Sequence, residues 1–72
     1  MNKALKINEN IAALRKKQGL SQVALAGRLR ISNQAISKWE LGKCYPDIIL
    51  LPALSSLFDI SIDELLLGDL TK

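Results

Sequence analysis

Residues 22–41 read QVALAGRLRISNQAISKWEL, and the prediction of the fold starts from this stretch. Its residue pattern indicates a short helix, a tight turn and a second helix. Ala26 is small at the point where the two helices would cross closely, and a longer side chain would hold them apart. The apolar positions that fasten the unit to a core are Leu25, Leu29, Ile31, Ile36 and Trp39. We therefore predict two helices that pack across each other through a short turn.

The second of these helices has a polar arc and an apolar arc, because each helical residue advances by about 100°. With Asn33 at zero, the arc up to about 140° carries polar groups, whereas the arc between about 200° and 300° is apolar. The polar members are Asn33, Gln34, Ser37 and Lys38. Amide groups match adenine in two-point geometry and lysine favours guanine, so this arc could read base edges in duplex DNA. An ordinary amphipathic helix with a solvated face is the alternative.

Cap and stop residues along the whole chain predict an all-α, compact five-helix domain over residues 1–72. The first helix runs from about Ile7 to Gln18 and stops at Gly19. Ser21 and Ser32 are predicted to cap the second and third helices, and Gly42 ends the third. Pro52 fits only the first turn of a fourth helix, which starts near residue 49 or 50 and ends at Phe58. The spacing of Ser61 and Glu64 is that of a capping box before a fifth helix.

Charge is distributed unevenly along the chain. Residues 1–43 carry nine lysines and arginines against two glutamates, a net +7, whereas residues 44–72 carry one lysine against five acids, a net −4. This asymmetry favours one face for a polyanion, although solvated lysines can also cluster without a partner.

Several other functions are disfavoured by the residue types. Cys44 is the single cysteine and there is no histidine, so neither an internal disulfide nor a zinc-ligand set is expected. Ser37 and Lys38 are adjacent on a helix, about 100° apart, and cannot form a catalytic dyad. No apolar run approaches the ~20 residues of a membrane span. The expectation is a cytoplasmic protein that is not an enzyme, with no cofactor, no membrane partner and no evident small-molecule site.

The stretches LRKKQGLSQ, ALAGRLRIS, NQAISKWELGK, YPDIILLPAL and LFDISIDELL resemble the lambda-repressor/Cro-type helix-turn-helix family of bacterial and phage transcription regulators, also called the xenobiotic-response-element family. The resemblance covers about residues 7–67. It implies a lambda-repressor-like fold whose third helix reads the major groove of double-stranded DNA, with the helix-turn-helix at about residues 22–41.

The resemblance also implies roles for particular residues. Asn33, Gln34, Ser37 and Lys38 would contact bases, and the phosphate contacts would come from Gln22, Ser32, Lys43 and Arg15. Gln22 would also steady Gln34, and Arg15 and Glu40 would form a structural pair between the first and third helices. Solvated surface charges are the alternative for this pair and for Lys43. The family's turn usually carries glycine where this chain has Arg30, which predicts a positive φ at an arginine and a cost on the order of 1 kcal/mol.

The expected function is sequence-specific DNA binding by a transcriptional regulator, a repressor, that acts as a homodimer on DNA. Ile62 and Leu66 are the predicted dimer contacts, unless both complete the core. The alternative is a protein–protein interaction adapter or an antitoxin-type module on the same fold. The sequence does not choose among a phage repressor, a restriction-system controller, an antitoxin and a host regulator.

Overall fold

The computed structural model describes residues 5–71, and these form five α-helices and one 3-10 turn without any strand. The helices are α1 (Ile7–Lys17), α2 (Gln22–Leu29), α3 (Asn33–Glu40), α4 (Leu51–Phe58) and α5 (Ile62–Leu67), and the 3-10 turn is Ile48–Leu50. The predicted all-α, five-helix fold is therefore confirmed. Of the predicted domain, residues 1–4 and 72 lie outside the described residues.

Serine side chains begin three of the helices, as the sequence predicts. The Oγ atoms of Ser21, Ser32 and Ser61 accept hydrogen bonds from the backbone N–H three residues further on, at 3.0, 3.3 and 3.0 Å. Each bond satisfies one of the backbone donors that a helix N-terminus leaves unpaired. The capping box forms only in part, because the Glu64 carboxylate accepts from the Ser61 hydroxyl rather than from the Ser61 backbone.

Four helices end in a residue with positive φ, two of them at glycine and two at other residues. Gly19 and Gly42 have φ of 71° and 76° and follow α1 and α3. Arg30 has φ of 58°, so the predicted left-handed arginine between α2 and α3 is confirmed. Asp59, with φ of 56°, ends α4 in the same conformation. The positive φ of Asp59 was not predicted, because aspartate is also common in ordinary turns.

The start of α4 differs slightly from the prediction. Residues 48–50 form a 3-10 turn, and the α-helix begins at Leu51 with Pro52 in its first turn. The Asp47 carboxylate accepts a hydrogen bond from the Ile49 backbone N–H at 3.4 Å, which supports the tighter turn. Proline is tolerated there because the first helical turn needs no backbone donor.

The core is a small aliphatic cluster closed by two aromatic residues. α2 packs against α3, while α1 contacts both α3 and α5, and α4 contacts α5. The buried apolar residues are Ile7, Ile11, Leu14, Leu25, Ala26, Ile36, Trp39, Leu54, Phe58 and Leu65. Ala26 is 3% exposed, as its place in the α2–α3 crossing requires, and Leu29 is only partly buried. Leu66 also packs partly against this core.

One polar side chain, Asn10, is fully buried and ties α1 to the C-terminal segment. Its Nδ2 donates to the backbone oxygens of Leu65 at 2.9 Å and Gly68 at 2.8 Å, and its Oδ1 accepts from the Leu70 N–H at 3.2 Å. These bonds satisfy carbonyls that the end of α5 leaves unpaired. Asn10 therefore substitutes for the hydrogen bonds that a longer α5 would supply.

Candidate nucleic-acid interface

Helix α3 exposes the polar arc and buries the apolar arc. Asn33, Gln34 and Lys38 are exposed and Ser37 is partly exposed. On the opposite side Ile36 is 0% and Trp39 is 4% exposed. The helix is thus anchored in the core along one side, and its amide, hydroxyl and ammonium groups point to solvent.

The start of α3 also faces solvent. Ser32 is exposed, and its Oγ is already occupied as the acceptor for Ala35 N–H. A serine hydroxyl can still donate its hydrogen while it caps a helix. Ser32 could therefore donate to a phosphate oxygen without releasing the cap.

Arg15, Glu40 and Gln22 form a network that joins α1, α2 and α3. The Arg15 guanidinium donates from Nε and Nη2 to the two Glu40 carboxylate oxygens at 2.6 and 3.0 Å, and from Nη1 to the Leu20 carbonyl at 2.9 Å. Gln22 Nε2 donates to Glu40 Oε1 at 3.0 Å. The Arg15 and Glu40 side chains are only 12% and 9% exposed. The structure therefore brings Arg15 and Glu40 together as a two-point ion pair, the strongest geometry for such a pair.

The network shifts the titration of both members of the pair. Burial by itself raises the pKa of Glu40, but the hydrogen bonds from Arg15 and Gln22 and the charge of Arg15 outweigh it, so the pKa of Glu40 lies below its ordinary value. The hydrogen bond to Glu40 raises the pKa of Arg15 against an opposing effect of burial. Both groups are therefore held in their charged forms.

Gln22 makes a contact that was not predicted. Its amide nitrogen donates to Glu40, the last residue of α3. The steadying of Gln34 by Gln22 that the resemblance implied stays a prediction. The second hydrogen of Nε2 is still available for a phosphate oxygen. The phosphate contacts of Gln22 and Arg15 stay predictions, and that of Arg15 would use the small exposed part of its side chain.

Lys43 is exposed just beyond α3, and its backbone position is fixed. Its N–H donates to the Lys38 carbonyl at 2.9 Å, and Gly42 N–H donates to the Trp39 carbonyl at 3.0 Å, the two bonds of a Schellman motif. The predicted phosphate contact of Lys43 would therefore come from a flexible side chain on a fixed backbone.

Asn8 also positions α3, and no pattern in the sequence predicted this role. Its Nδ2 donates to the Trp39 carbonyl at 2.6 Å and to the Cys44 carbonyl at 3.0 Å, so α1 holds the end of α3 and the residues after it. A polar residue in the first turn of a helix ordinarily indicates a solvated surface. Asn8 can hold the end of α3 only because the fold brings Trp39 and Cys44 close to it, although they lie 31 and 36 positions further along the chain.

The described residues also bear on three other features: a reactive thiol, a metal site and a membrane-spanning helix. Cys44 is a free, exposed thiol. Residues 5–71 contain no group of histidine, cysteine, aspartate and glutamate side chains that could hold a metal ion. None of the helices in this part of the chain has the length and apolar character needed to cross a membrane.

Helices α2 and α3 are short and cross each other. Helix α3 is anchored in the core along one side and exposes amide and basic groups along the other. This arrangement defines a helix-turn-helix protein. The helix-turn-helix family model matches residues 11–65, most of the chain. The chain therefore belongs to the helix-turn-helix family, and the predicted lambda-repressor/Cro-type membership is confirmed.

Relatives of known role are regulators of transcription. The chain is 45% identical over 65 residues to the HTH-type transcriptional activator BcrR of Enterococcus faecalis, covering 90% of this chain and 32% of that protein. It is 43% identical over 66 residues to repressor protein C2 of Salmonella phage P22, covering 92% of this chain and 31% of that protein. The chain thus spans about a third of the length of these two relatives.

Solved structures share the fold. The P22 c2 repressor in complex with a synthetic operator matches with a TM-score of 0.80 at 43% identity, over 88% of this chain and 96% of that one. A transcriptional regulator from Listeria innocua matches with a TM-score of 0.82 at 32% identity, over 86% of this chain and 58% of that one. The lambda-repressor-like fold predicted from the sequence is therefore confirmed.

Proposed function

We propose that this chain is the DNA-binding domain of a transcription regulator and that α3 reads base edges in the major groove of double-stranded DNA. The observation that carries the proposal is the exposure of Asn33, Gln34 and Lys38 on a helix whose other side is locked in the core by Ile36 and Trp39. Such a helix can enter the groove as a rigid body. The similar P22 c2 repressor has been solved in complex with a synthetic operator, which supports DNA as the ligand of this fold.

Within the groove, the first turn of α3 reads the bases. Helix-turn-helix proteins contact base edges mainly through the N-terminal residues of the second helix. Asn33 and Gln34 occupy this turn and offer amide groups suited to adenine, while Ser37 and Lys38 lie one turn further along. Each two-point contact with the right base discriminates by about 1–3 kcal/mol.

Contacts with the phosphate backbone set the position of α3. Ser32 and Gln22 stand at the N-termini of α3 and α2, where unpaired backbone N–H groups attract anions. Lys43 and the exposed edge of Arg15 add positive charge. The Arg15–Glu40–Gln22 network fixes α1, α2 and α3 as one body, so these contacts and the base-reading arc keep a constant spacing.

A regulator of this kind acts as a homodimer on DNA in the cytoplasm. One helix reads only a few base pairs, so two copies bind half-sites about one helical turn apart. Repression is the action that we propose, on the basis of the similar repressor protein C2 of Salmonella phage P22. We assign no catalytic step to the chain.

Selection of bound sequences from random duplex DNA tests the proposal. The expected result is an enriched motif with two-fold symmetry, bound more tightly than random duplex by at least about a thousandfold. An Asn33→Ala, Gln34→Ala double variant serves as the control and should enrich a degenerate motif. Failure of the wild-type chain to enrich any motif, with its helical circular dichroism intact, would contradict DNA reading and favour a protein-binding module.

A further inference from the structure

The connector between α3 and α4, residues 41–50, exposes more apolar side chain than any comparable stretch of the described chain. Ile48 and Ile49 are 76% and 77% exposed and Tyr45 is 60% exposed. Two isoleucines and a tyrosine within five residues are an unusual group to leave in water, since the burial of apolar surface is favourable.

The backbone of this connector is held in place. Asn8 donates to the Cys44 carbonyl at 3.0 Å, Pro46 is buried, and Asp47 accepts from the Ile49 N–H. The 3-10 turn fixes Ile48 and Ile49, with Leu50 N–H donating to the Asp47 carbonyl at 2.9 Å. The three exposed side chains therefore stand on a preformed surface, which lowers the entropy cost of covering it.

The charge around the connector suits a second copy of the chain. Its charged residues are one lysine, Lys43, and one aspartate, Asp47, so two copies can meet there without like charges dominating. The helix α5 surface differs, because Ile62 is flanked by exposed Asp59, Asp63 and Glu64. Pairing two α5 surfaces would bring these carboxylates together, which is unfavourable.

We infer that the connector, through Tyr45, Ile48 and Ile49, is the surface on which two copies of this chain meet when they bind adjacent half-sites. The inference rests on the proposed function for the half-sites and moves the dimer contact away from Ile62 and Leu66. Ile62 is only 36% exposed and Leu66 packs partly against the core, so they offer less surface.

The size of the surface sets the strength of the contact. Three side chains present much less than the ~800 Å² per partner of a standard interface, so the free chain dimerises weakly. Binding at neighbouring half-sites raises the effective concentration of the second copy, so that even a weak contact increases the affinity for the double site. The contact should therefore appear as cooperativity on DNA.

The test compares Ile49→Glu with Leu67→Glu, which places the same charge at another exposed apolar residue, 40% exposed at the end of α5. Affinities are measured by fluorescence anisotropy on a duplex with one selected half-site and on a duplex with two. Ile49→Glu should keep single-site affinity within about twofold of wild type and lose at least about tenfold on the double site. Leu67→Glu should match the affinity of wild type on both duplexes. Ile49→Leu, which keeps an apolar side chain, should bind the double site with the cooperativity of wild type.

A readout without DNA separates this inference from the proposed function. Sedimentation equilibrium at high protein concentration should show weak self-association of wild type and of Leu67→Glu, and a monomer for Ile49→Glu. If wild type binds neither duplex, the proposed function fails, and sedimentation still decides the surface. Unchanged cooperativity and self-association in Ile49→Glu, or their loss in Leu67→Glu alone, would overturn the inference. Thermal melts by circular dichroism confirm that each variant is folded.

Discussion

At the scale of single residues, the two glutamines of the helix-turn-helix differ in how the fold holds them. Gln34 is exposed on the first turn of α3, whereas Gln22 is partly buried and hydrogen-bonded to Glu40. An exposed amide can reach a base edge, while an amide bound to a carboxylate is fixed in place and has one hydrogen left to donate. Replacement of each glutamine by alanine should therefore weaken DNA binding in a different way.

We expect Gln34→Ala to lose about 1–3 kcal/mol on the selected site and to relax preference at one base pair. Gln22→Ala should weaken selected and random DNA by similar factors, because phosphate contacts carry no direct sequence information. Titrations on the selected site and on its single-base variants measure both effects. An equal loss on every sequence for Gln34→Ala would remove it from the base-reading arc.

Gly27 is a residue whose replacement should stabilise the fold. It lies in the exposed part of α2, and a Cβ added there meets nothing within 4 Å. Because glycine costs a helix about 0.5–1 kcal/mol relative to alanine, Gly27→Ala should raise the free energy of unfolding by about that amount. Urea denaturation measures it. Gly42→Ala is the matched control and should be destabilising, since φ there is 76°.

At the scale of elements, the Arg15–Glu40 pair links α1 to α3 and makes their packing depend on pH. The pKa of Glu40 is lower in the folded chain than in the unfolded chain. The pair's contribution to stability is therefore complete above the unfolded pKa of about 4.3 and is lost as the pH falls through the lower folded value. Arg15 stays charged throughout this range, so Glu40 alone provides the titration of the pair.

We expect Glu40→Gln to destabilise the chain by about 2–4 kcal/mol at pH 7, because the variant leaves the Arg15 charge largely buried without its counter-charge. The difference from wild type should shrink as the pH falls below about 4, where wild type also loses the carboxylate. Urea denaturation of both proteins from pH 3 to 7 measures it. A constant difference over the whole range would show that the carboxylate charge is not what stabilises the contact.

At the scale of the whole molecule, positive charge is concentrated in the part that carries the helix-turn-helix. Lys16, Lys17, Arg28, Arg30, Lys38 and Lys43 are exposed on α1 to α3 and in their connections, whereas the exposed charges of α5 are acidic. A domain with this distribution approaches a polyanion from one end.

If each copy neutralises about four to six phosphates, the logarithm of the DNA-binding constant should fall with the logarithm of salt concentration at a slope of roughly −4 to −5, doubled for a dimer. Titrations at a series of salt concentrations on one duplex give this slope. Lys43→Ala should reduce its magnitude by about one per copy. Binding that hardly changes with salt would argue against docking in the major groove.

The sequence by itself determined the features that depend on neighbours a few residues apart. The serine caps, the glycine stops and the two arcs of α3 follow from local backbone chemistry, whereas the left-handed Arg30 was implied by the resemblance to the family, and the structure shows each of them. These rules operate over about four residues, so they can be read along the chain.

Only the tertiary structure decided which distant groups meet. The hydrogen bonds of three amide side chains, Asn8, Asn10 and Gln22, join residues 18 to 60 positions apart. No local pattern distinguishes these amides from solvated ones. The exposure of Ile48 and Ile49 is likewise a tertiary result, because their sequence predicts burial as readily as Leu54 does. Burial and partner choice depend on which surfaces the packed helices leave open, and that is fixed only when all five helices are in place.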